Sequence, residues 1–188
     1  MNFCSGCGNK VHQAVPPGDN RVRWCCAHCG AIHYQNPNVV VGTVSTWAEE
    51  ILLCRRAIEP RYGLWTLPAG FLENDETTAQ GAERETREEA GATIELLRPY
   101  AMIDVPHVNQ VHLFYRARML HPELDPGEES LEARLFQVAE IPWDRIAFRT
   151  VEKTLRWFID DLAAAQPDHL APIHYDAITL GLRPRGTP

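Results

Sequence analysis

The sequence predicts an α/β fold, a mixed sheet sandwiched between helices and preceded by a small cysteine-rich module. Three observations point to it. β-branched and aliphatic runs lie on both sides of a stretch with helical spacing, a longer amphipathic segment follows them, and five of the six cysteines fall within the first 29 residues. Strands that flank one helix and precede another pack most simply as a sheet covered on both faces. A chain of 188 residues with 45% hydrophobic content suffices for one ordinary domain plus an attachment.

The cysteines come first in the chain. They read Cys4-x2-Cys7, eighteen residues, Cys26-x2-Cys29. Two CxxC knuckles at that separation can offer four thiolates to a tetrahedral structural zinc, and Gly6, Gly8 and Gly30 beside them allow sharp turns. Cys25 competes with Cys26 for the third place, but only Cys26 completes a CxxC pair. A disulfide framework is the alternative, and it requires an oxidising compartment that nothing in the chain indicates. With four cysteines present, His12, His28 and His33 are not needed as ligands. Residues 1–35 are therefore read as a zinc ribbon acting as a structural cap, since only Lys10, Arg21 and Arg23 give it firm positive charge.

Asn36-Pro37 is a turn-like dipeptide that ends the ribbon and opens a second domain, residues 36–188. Residues 38–46 and 50–56 alternate or run apolar as strands around a turn at Ala48-Glu49. Helical spacing follows, ending at Gly91. Residues 93–104, 111–119 and 131–138 read as further strands. Residues 149–165 have the period of an amphipathic helix through Val151, Leu155, Phe158, Ile159 and Leu162, stopped by Pro167. His174 to Ile178 is a last, short edge strand. Cys54, inside an apolar strand, reads as a buried small hydrophobe.

The first helix carries the chemistry. Glu85, Glu88 and Glu89 stand at i, i+3 and i+4 and so project from neighbouring positions. Like charges at that spacing cost an isolated helix roughly 0.2–0.5 kcal/mol per pair, and a hard divalent cation between them reverses the sign. All-oxygen ligation suits Mg2+ or Mn2+, with a phosphate-bearing substrate completing the shell. The opposite side, Ala79, Ala82, Thr86 and Ala90, is small enough to pack closely on a sheet. A merely solvated helix face is the competing reading of the same composition.

Read whole, Gly70 to Ala92 resembles the Nudix box. Gly70, Glu76, Arg84, Glu85, Glu88, Glu89 and Gly91 fill its charged and glycine positions, while Thr86 and Ala92 occupy slots that are usually aliphatic. The resemblance implies a Nudix α/β/α sandwich and metal-assisted hydrolysis of a nucleoside diphosphate joined to another group, by attack of water on one phosphorus of the P–O–P bridge. It assigns Glu85 and Glu89 as principal ligands, Glu88 as a third or bridging one, and a backbone carbonyl at Ala69 or Gly70. Arg84 is implied to orient the box through Glu76. The general base lies either in the box or among Glu123, Asp125, Glu128, Glu129 and Glu132, and position before the following strand favours Glu129. This segment also reads as a solvated acidic loop. Only one of Arg55 and Arg56 can face the cleft, and Arg56 is the choice for substrate phosphate. Trp65 is expected in the core beneath the box.

A narrower resemblance rests on Phe3-Cys4 with Cys7-Gly8, Tyr34-Gln35-Asn36-Pro37, Gly63-Leu64-Trp65-Thr66-Leu67-Pro68-Ala69-Gly70, the box, and Glu129-Ser130-Leu131-Glu132 before Arg134-Leu135-Phe136. Together these are similar to the plant plastid FAD and ADP-ribose pyrophosphatases and their bacterial relatives. That implies release of AMP from ADP-ribose or FAD, and a homodimer. NADH pyrophosphatases share the ribbon and the box but carry a Trp- and Pro-rich array after it, where residues 93–120 hold only Pro99 and Pro106 and no Trp. A nucleotide-sensing module without turnover is the remaining alternative, and the intact glutamates argue against it. The formal charge of −7 argues against a broad nucleic-acid surface and for a small nucleotide substrate. No apolar run approaches the ~18 residues of a membrane span, and Met1-Asn2-Phe3-Cys4 opens with no leader, so a cytoplasmic location is expected.

Overall fold

The structure, a computed structural model, describes residues 1–164 and 172–179. The chain divides into two compact units, Met1–Asn36 and Pro37–Pro188. In the first, strands β1 (Val11–Ala14), β2 (Arg23–Cys26) and β3 (Ile32–His33) form a three-stranded antiparallel sheet in that order. These short strands have no legible apolar alternation. The register, with Cys25 opposite both His12 and Ile32, is imposed by the knuckles rather than by an apolar face.

The second unit begins with β4 (Asn38–Trp47) and β5 (Glu50–Arg56), joined through Ala48-Glu49, with Ala48 at φ +50°. Two short strands follow, β6 (Trp65–Thr66) and β7 (Ala69–Phe71), then helix α1 (Thr78–Ala90). Next come β8 (Ile94–Val105), β9 (Gln110–Met119), β10 (Ser130–Phe136), helix α2 (Arg149–Ala163) and β11 (His174–Ala177). The strands make one mixed sheet in the order β10-β5-β4-β9-β8-β11. β4 with β9 and β8 with β11 are parallel, and the other neighbours along this order are antiparallel.

The sheet splits at β4. β5 pairs with it only at Thr46 and Trp47, then leaves, and the freed edge is taken by β7 through Val40, Val41 and Gly42. β6 meanwhile stays on β5. Gly42 is required there, because a Cβ would collide with Pro68 O and the Ala69 side chain.

Period-2 alternation sends successive side chains to opposite layers. Val44, Ile51, Leu53 and Phe114 meet Val151, Leu155 and Phe158 of α2, whereas Leu52, Cys54, Ala117 and Met119 lie with Ala90 at the C-terminal end of α1. β5 is therefore apolar at consecutive positions because both of its faces are covered. Trp65 is buried in the α2 layer, edge-on to Phe136 with centroids 4.8 Å apart.

Three expectations change in detail. The strand expected over 131–138 ends at Phe136, and Val138–Glu140 form a 3-10 turn instead. Leu162, expected on the buried stripe, is exposed, because the last turn of α2 presents Asp161 inward to accept from Tyr100 Oη at 2.8 Å. Ala165 and Pro167, expected to close that helix, lie outside the described residues.

Candidate active site and metal centres

In the ribbon, Gly8 N–H donates to Cys4 O and Gly30 N–H to Cys26 O, at 2.9 and 3.0 Å, and both glycines have positive φ. These equivalent turns bring Cys4 Sγ within 3.6 Å of Cys29 Sγ and Cys7 Sγ within 3.5 Å of Cys26 Sγ. All four sulfurs lie within 4.8 Å of one another. A tetrahedron with Zn–S bonds of about 2.3 Å needs S···S edges of about 3.8 Å, so the set fits zinc. Hydrogen bonds from Asn9 hold the Cys7 thiol down to about 5, whereas the neighbouring sulfurs push that of Cys29 up to about 12, because the clustered thiols titrate together. Cys25 turns its thiol toward Arg23 O, and no histidine nitrogen joins the cluster.

Helix α1 is positioned by its ends. Thr77 and Gln80 form a reciprocal capping box, satisfying two orphan donors. Gly91 closes the helix in the left-handed region at φ +66° and returns its N–H to Arg87 O at 2.8 Å. The acidic loop, whose carboxylates are exposed, is strapped here by its backbone. Asp125 N–H donates to Ala90 O at 2.9 Å, and Cβ atoms at Gly91 and Gly127 would strike the Asp125 and Glu88 backbones.

The three glutamates have different surroundings. Glu88 is exposed, Glu85 is half-buried and Glu89 is 5% exposed. Glu89 accepts the Ala69 N–H at 3.2 Å. Burial, reinforced by the Glu85 and Glu129 charges, pushes its carboxyl up to about 8, and burial also raises that of Glu85. The Glu85 carboxylate fills the space where a Cβ of Gly70 would stand. Arg84 lies among these groups. Its guanidinium takes Glu76 in a two-pronged bond at 2.7 and 3.0 Å, donates to Phe71 O at 3.1 Å, and reaches Glu85 at 2.7 Å and Glu88 at 3.0 Å. This pairing holds the Glu76 carboxyl down to about 2. Arg84 thus ties the entry loop of α1 to its acidic side.

Among the described residues the cysteine tetrad is the one group gathered closely enough to hold an ion as it stands. Glu85 and Glu88 share Arg84 instead, and Glu89 accepts from the Ala69 N–H. Their donor chemistry nevertheless suits a hard cation, with two carboxylates beside the Ala69–Gly70 backbone, both disfavoured as bare anions by burial.

Arg56, at the end of β5, and Glu129, just before β10, both act on this site. Arg56 is register partner of Ser130, and Ala57 N–H donates to Glu129 O at 2.8 Å. Arg56 is 9% exposed, donates from Nε to Pro60 O at 2.9 Å, and its positive charge acts on Glu89. Glu129, on the exposed rim, acts on both Glu85 and Glu89. Arg55 turns away to Gly63 O and Glu132. Glu123, Asp125 and Glu128 are exposed.

Sequence reasoning missed a buried chain of hydroxyls behind α1. Thr43 Oγ1 lies 2.8 Å from Ser45 Oγ and 2.7 Å from Thr86 Oγ1, and Thr86 Oγ1 donates to Ala82 O at 2.8 Å. The available signal was the polar residue in an aliphatic slot of the box, together with alternating Thr43 and Ser45 in an apolar strand.

Residues 36–158 match the NUDIX domain family, and residues 2–35 match the family described as Nudix N-terminal. A NUDIX hydrolase crystal structure from Nitrosomonas europaea is 47% identical, covering 95% of this chain and 99% of that one with a TM-score of 0.89. An ADP-ribose pyrophosphatase from Streptococcus suis is 23% identical over 76% of this chain and all of that one, TM-score 0.58, a likeness of fold alone. Among curated proteins, the NAD-capped RNA hydrolase NudC of Stutzerimonas stutzeri is 32% identical over 74% of this chain and 49% of its own length. That of Salmonella heidelberg is 29% identical over 81% and 60%. The chain thus spans about half of the curated relatives it matches.

Proposed function

The chain belongs to the Nudix hydrolases, and from that premise we propose that it cleaves a nucleoside diphosphate linked to a second moiety, releasing AMP from ADP-ribose or FAD. The observation that carries this reading is the convergence of half-buried Glu85 and buried Glu89 with Arg56, Glu129 and the Ala69–Gly70 backbone. In this reading Glu85 and Glu89 hold Mg2+ or Mn2+, with Glu88 and a carbonyl of Ala69 or Gly70 completing the protein's share. An ion held there would supply neutralisation of phosphoryl oxygens and a more acidic water. Arg56 grips a phosphate through its guanidinium. Glu129, on the rim and close to both ligands, accepts the proton of the attacking water. A P–O bond forms to that water oxygen and the bridging P–O bond breaks, giving AMP and ribose 5-phosphate or FMN.

A second reading is favoured by the curated relatives, which act on NAD-capped RNA. The scissile bond is again a pyrophosphate, so the same residues serve it. Against it stands the segment 93–120, which lacks the array associated with NADH pyrophosphatases. A formal charge of −7 also restricts such a substrate to contacts at its cap. The deciding experiment is metal-dependent AMP release from ADP-ribose, FAD, NADH and NAD-capped RNA, in separate Mg2+ and Mn2+ series. Turnover of ADP-ribose or FAD above the others supports the first reading, turnover of NADH or capped RNA alone replaces it with the second, and no turnover leaves a nucleotide-binding module. The homodimer belongs to the first reading, and sedimentation at micromolar concentration tests it. No helix among the described residues is long and apolar enough to cross a membrane.

A further inference from the structure

We propose that the buried chain Ser45–Thr43–Thr86 is a positioning device that sets the rotation of α1 and thereby the placement of the Glu85 and Glu89 carboxylates for a divalent metal. It rests on the reading of those glutamates as metal ligands. All three side chains are fully buried, and their protons can be assigned by counting. A carbonyl only accepts, so the Thr86 hydroxyl proton goes to Ala82 O. The 2.7 Å contact between Thr43 and Thr86 then needs the Thr43 proton, and the 2.8 Å contact between Ser45 and Thr43 needs that of Ser45. Ser45 donates to Thr43, Thr43 to Thr86, and Thr86 to its own helix. Each proton is used once, so the network has one direction and no spare donor.

Such a device is needed because the buried side of α1 is smooth. Gly81, Ala82 and Ala90 offer little side chain to lock into the sheet, and dispersion between small groups defines rotation weakly. Hydrogen bonds are directional. A second one, Thr78 Oγ1 with Tyr115 Oη at 2.7 Å, pins the first turn to β9, while Thr86 pins the helix to β4. The two pins are eight residues, about 12 Å, apart along the axis. Thr86 sits between Glu85 and Glu89, so a turn of the helix about its axis moves both carboxylates relative to Ala69 and Gly70. The aliphatic slot of the box is polar in this chain because its partner strand is polar at the facing position.

The test compares the zinc-replete full chain with Thr86→Val, which is isosteric but cannot donate or accept, with Thr86→Ser, which keeps the hydroxyl, and with Thr43→Val/Ser45→Ala/Thr86→Val, which removes the network whole. Mn2+ affinity is read from the free-ion EPR signal without substrate, beside the thermal midpoint. Thr86→Val is expected to weaken Mn2+ binding about tenfold, the scale of one unsatisfied buried hydrogen bond, and Thr86→Ser to restore it. The triple variant, with nothing unsatisfied, should regain thermal stability yet keep weakened Mn2+ binding, because direction has been lost. Unchanged Mn2+ affinity in both Thr86→Val and the triple variant, with only the midpoint shifted, assigns the network to stability alone and overturns the proposal. Unaltered Mn2+ binding when Glu89→Gln is the sole substitution overturns the metal reading together with it.

Discussion

At the scale of single residues, Glu89 is held in a conflict that only a cation or a proton relieves. Its carboxyl, raised to about 8 by burial, stays protonated in the folded chain at pH values where the unfolded chain has released that proton. The native state then binds more protons, and stability falls as pH rises from about 4.5 through about 8. We expect the thermal midpoint in Mg2+-free buffer to decline across that window. The decline should flatten in Glu89→Gln, and Mg2+ should offset it in wild type; parallel curves for the two proteins would disprove the assignment. The same substitution should reduce metal-dependent AMP release at least about a hundredfold, measured at saturating metal. Gly70→Ala should act through its neighbour, because the added Cβ occupies the space of the Glu85 carboxylate. Its expected signature is loss of turnover with little change in fold by circular dichroism.

At the scale of elements, α1 is a rigid part held by its ends and back, and α2 is a lid on a core. Gly91→Ala forces a side chain into the left-handed region and against the Asp125 backbone. It should cost at least about 1 kcal/mol in urea unfolding, and also release the strap on the acidic loop, which proteolysis near Asp125 would report. Phe158 is 1% exposed, edge-on to Tyr100 and beneath the Arg116 guanidinium. Phe158→Ala should cost about 3–5 kcal/mol, whereas Leu162→Ala, on the exposed side of the same helix, should stay within about 0.5 kcal/mol. Spacing alone ranked these two leucine and phenylalanine positions together. Position along the axis, where Asp161 takes the inward place, separates them.

At the scale of the whole molecule, the two units stand on different physics. The sheet unit buries a continuous apolar layer on each face, whereas Met1–Asn36 buries little beyond Cys4 and Cys26. A unit this small lacks the apolar area to order itself, and zinc held by the tetrad would supply what is missing. Purified protein should carry about one zinc per chain by elemental analysis. Cys26→Ser should abolish that zinc and the ribbon's amide protection in hydrogen exchange, while the sheet strands keep theirs; a full zinc content in Cys26→Ser would refute the tetrad.

Local patterns were readable where chemistry is written in nearest neighbours along the chain. The CxxC pairs, the period of β4, β5, β8 and β9 and the small back of α1 all depend on spacing, and spacing is a property of the sequence, whereas the pairing of Arg84 with Glu76 came from the resemblance. The resemblance added the family on the same residues. Tertiary structure decided what spacing leaves open. It decided that Glu85, Glu88 and Glu89 have three different degrees of burial, and that β6 and β7 fill the gap where β5 leaves β4. The charge of Arg56 rather than Arg55 acts on Glu89, the acidic loop is strapped to the end of α1, and Thr86 finds a hydroxyl partner 43 residues away. Each of these turns on groups distant in sequence meeting where water is excluded. Desolvation and the direction of a hydrogen bond come into play only once the fold has closed.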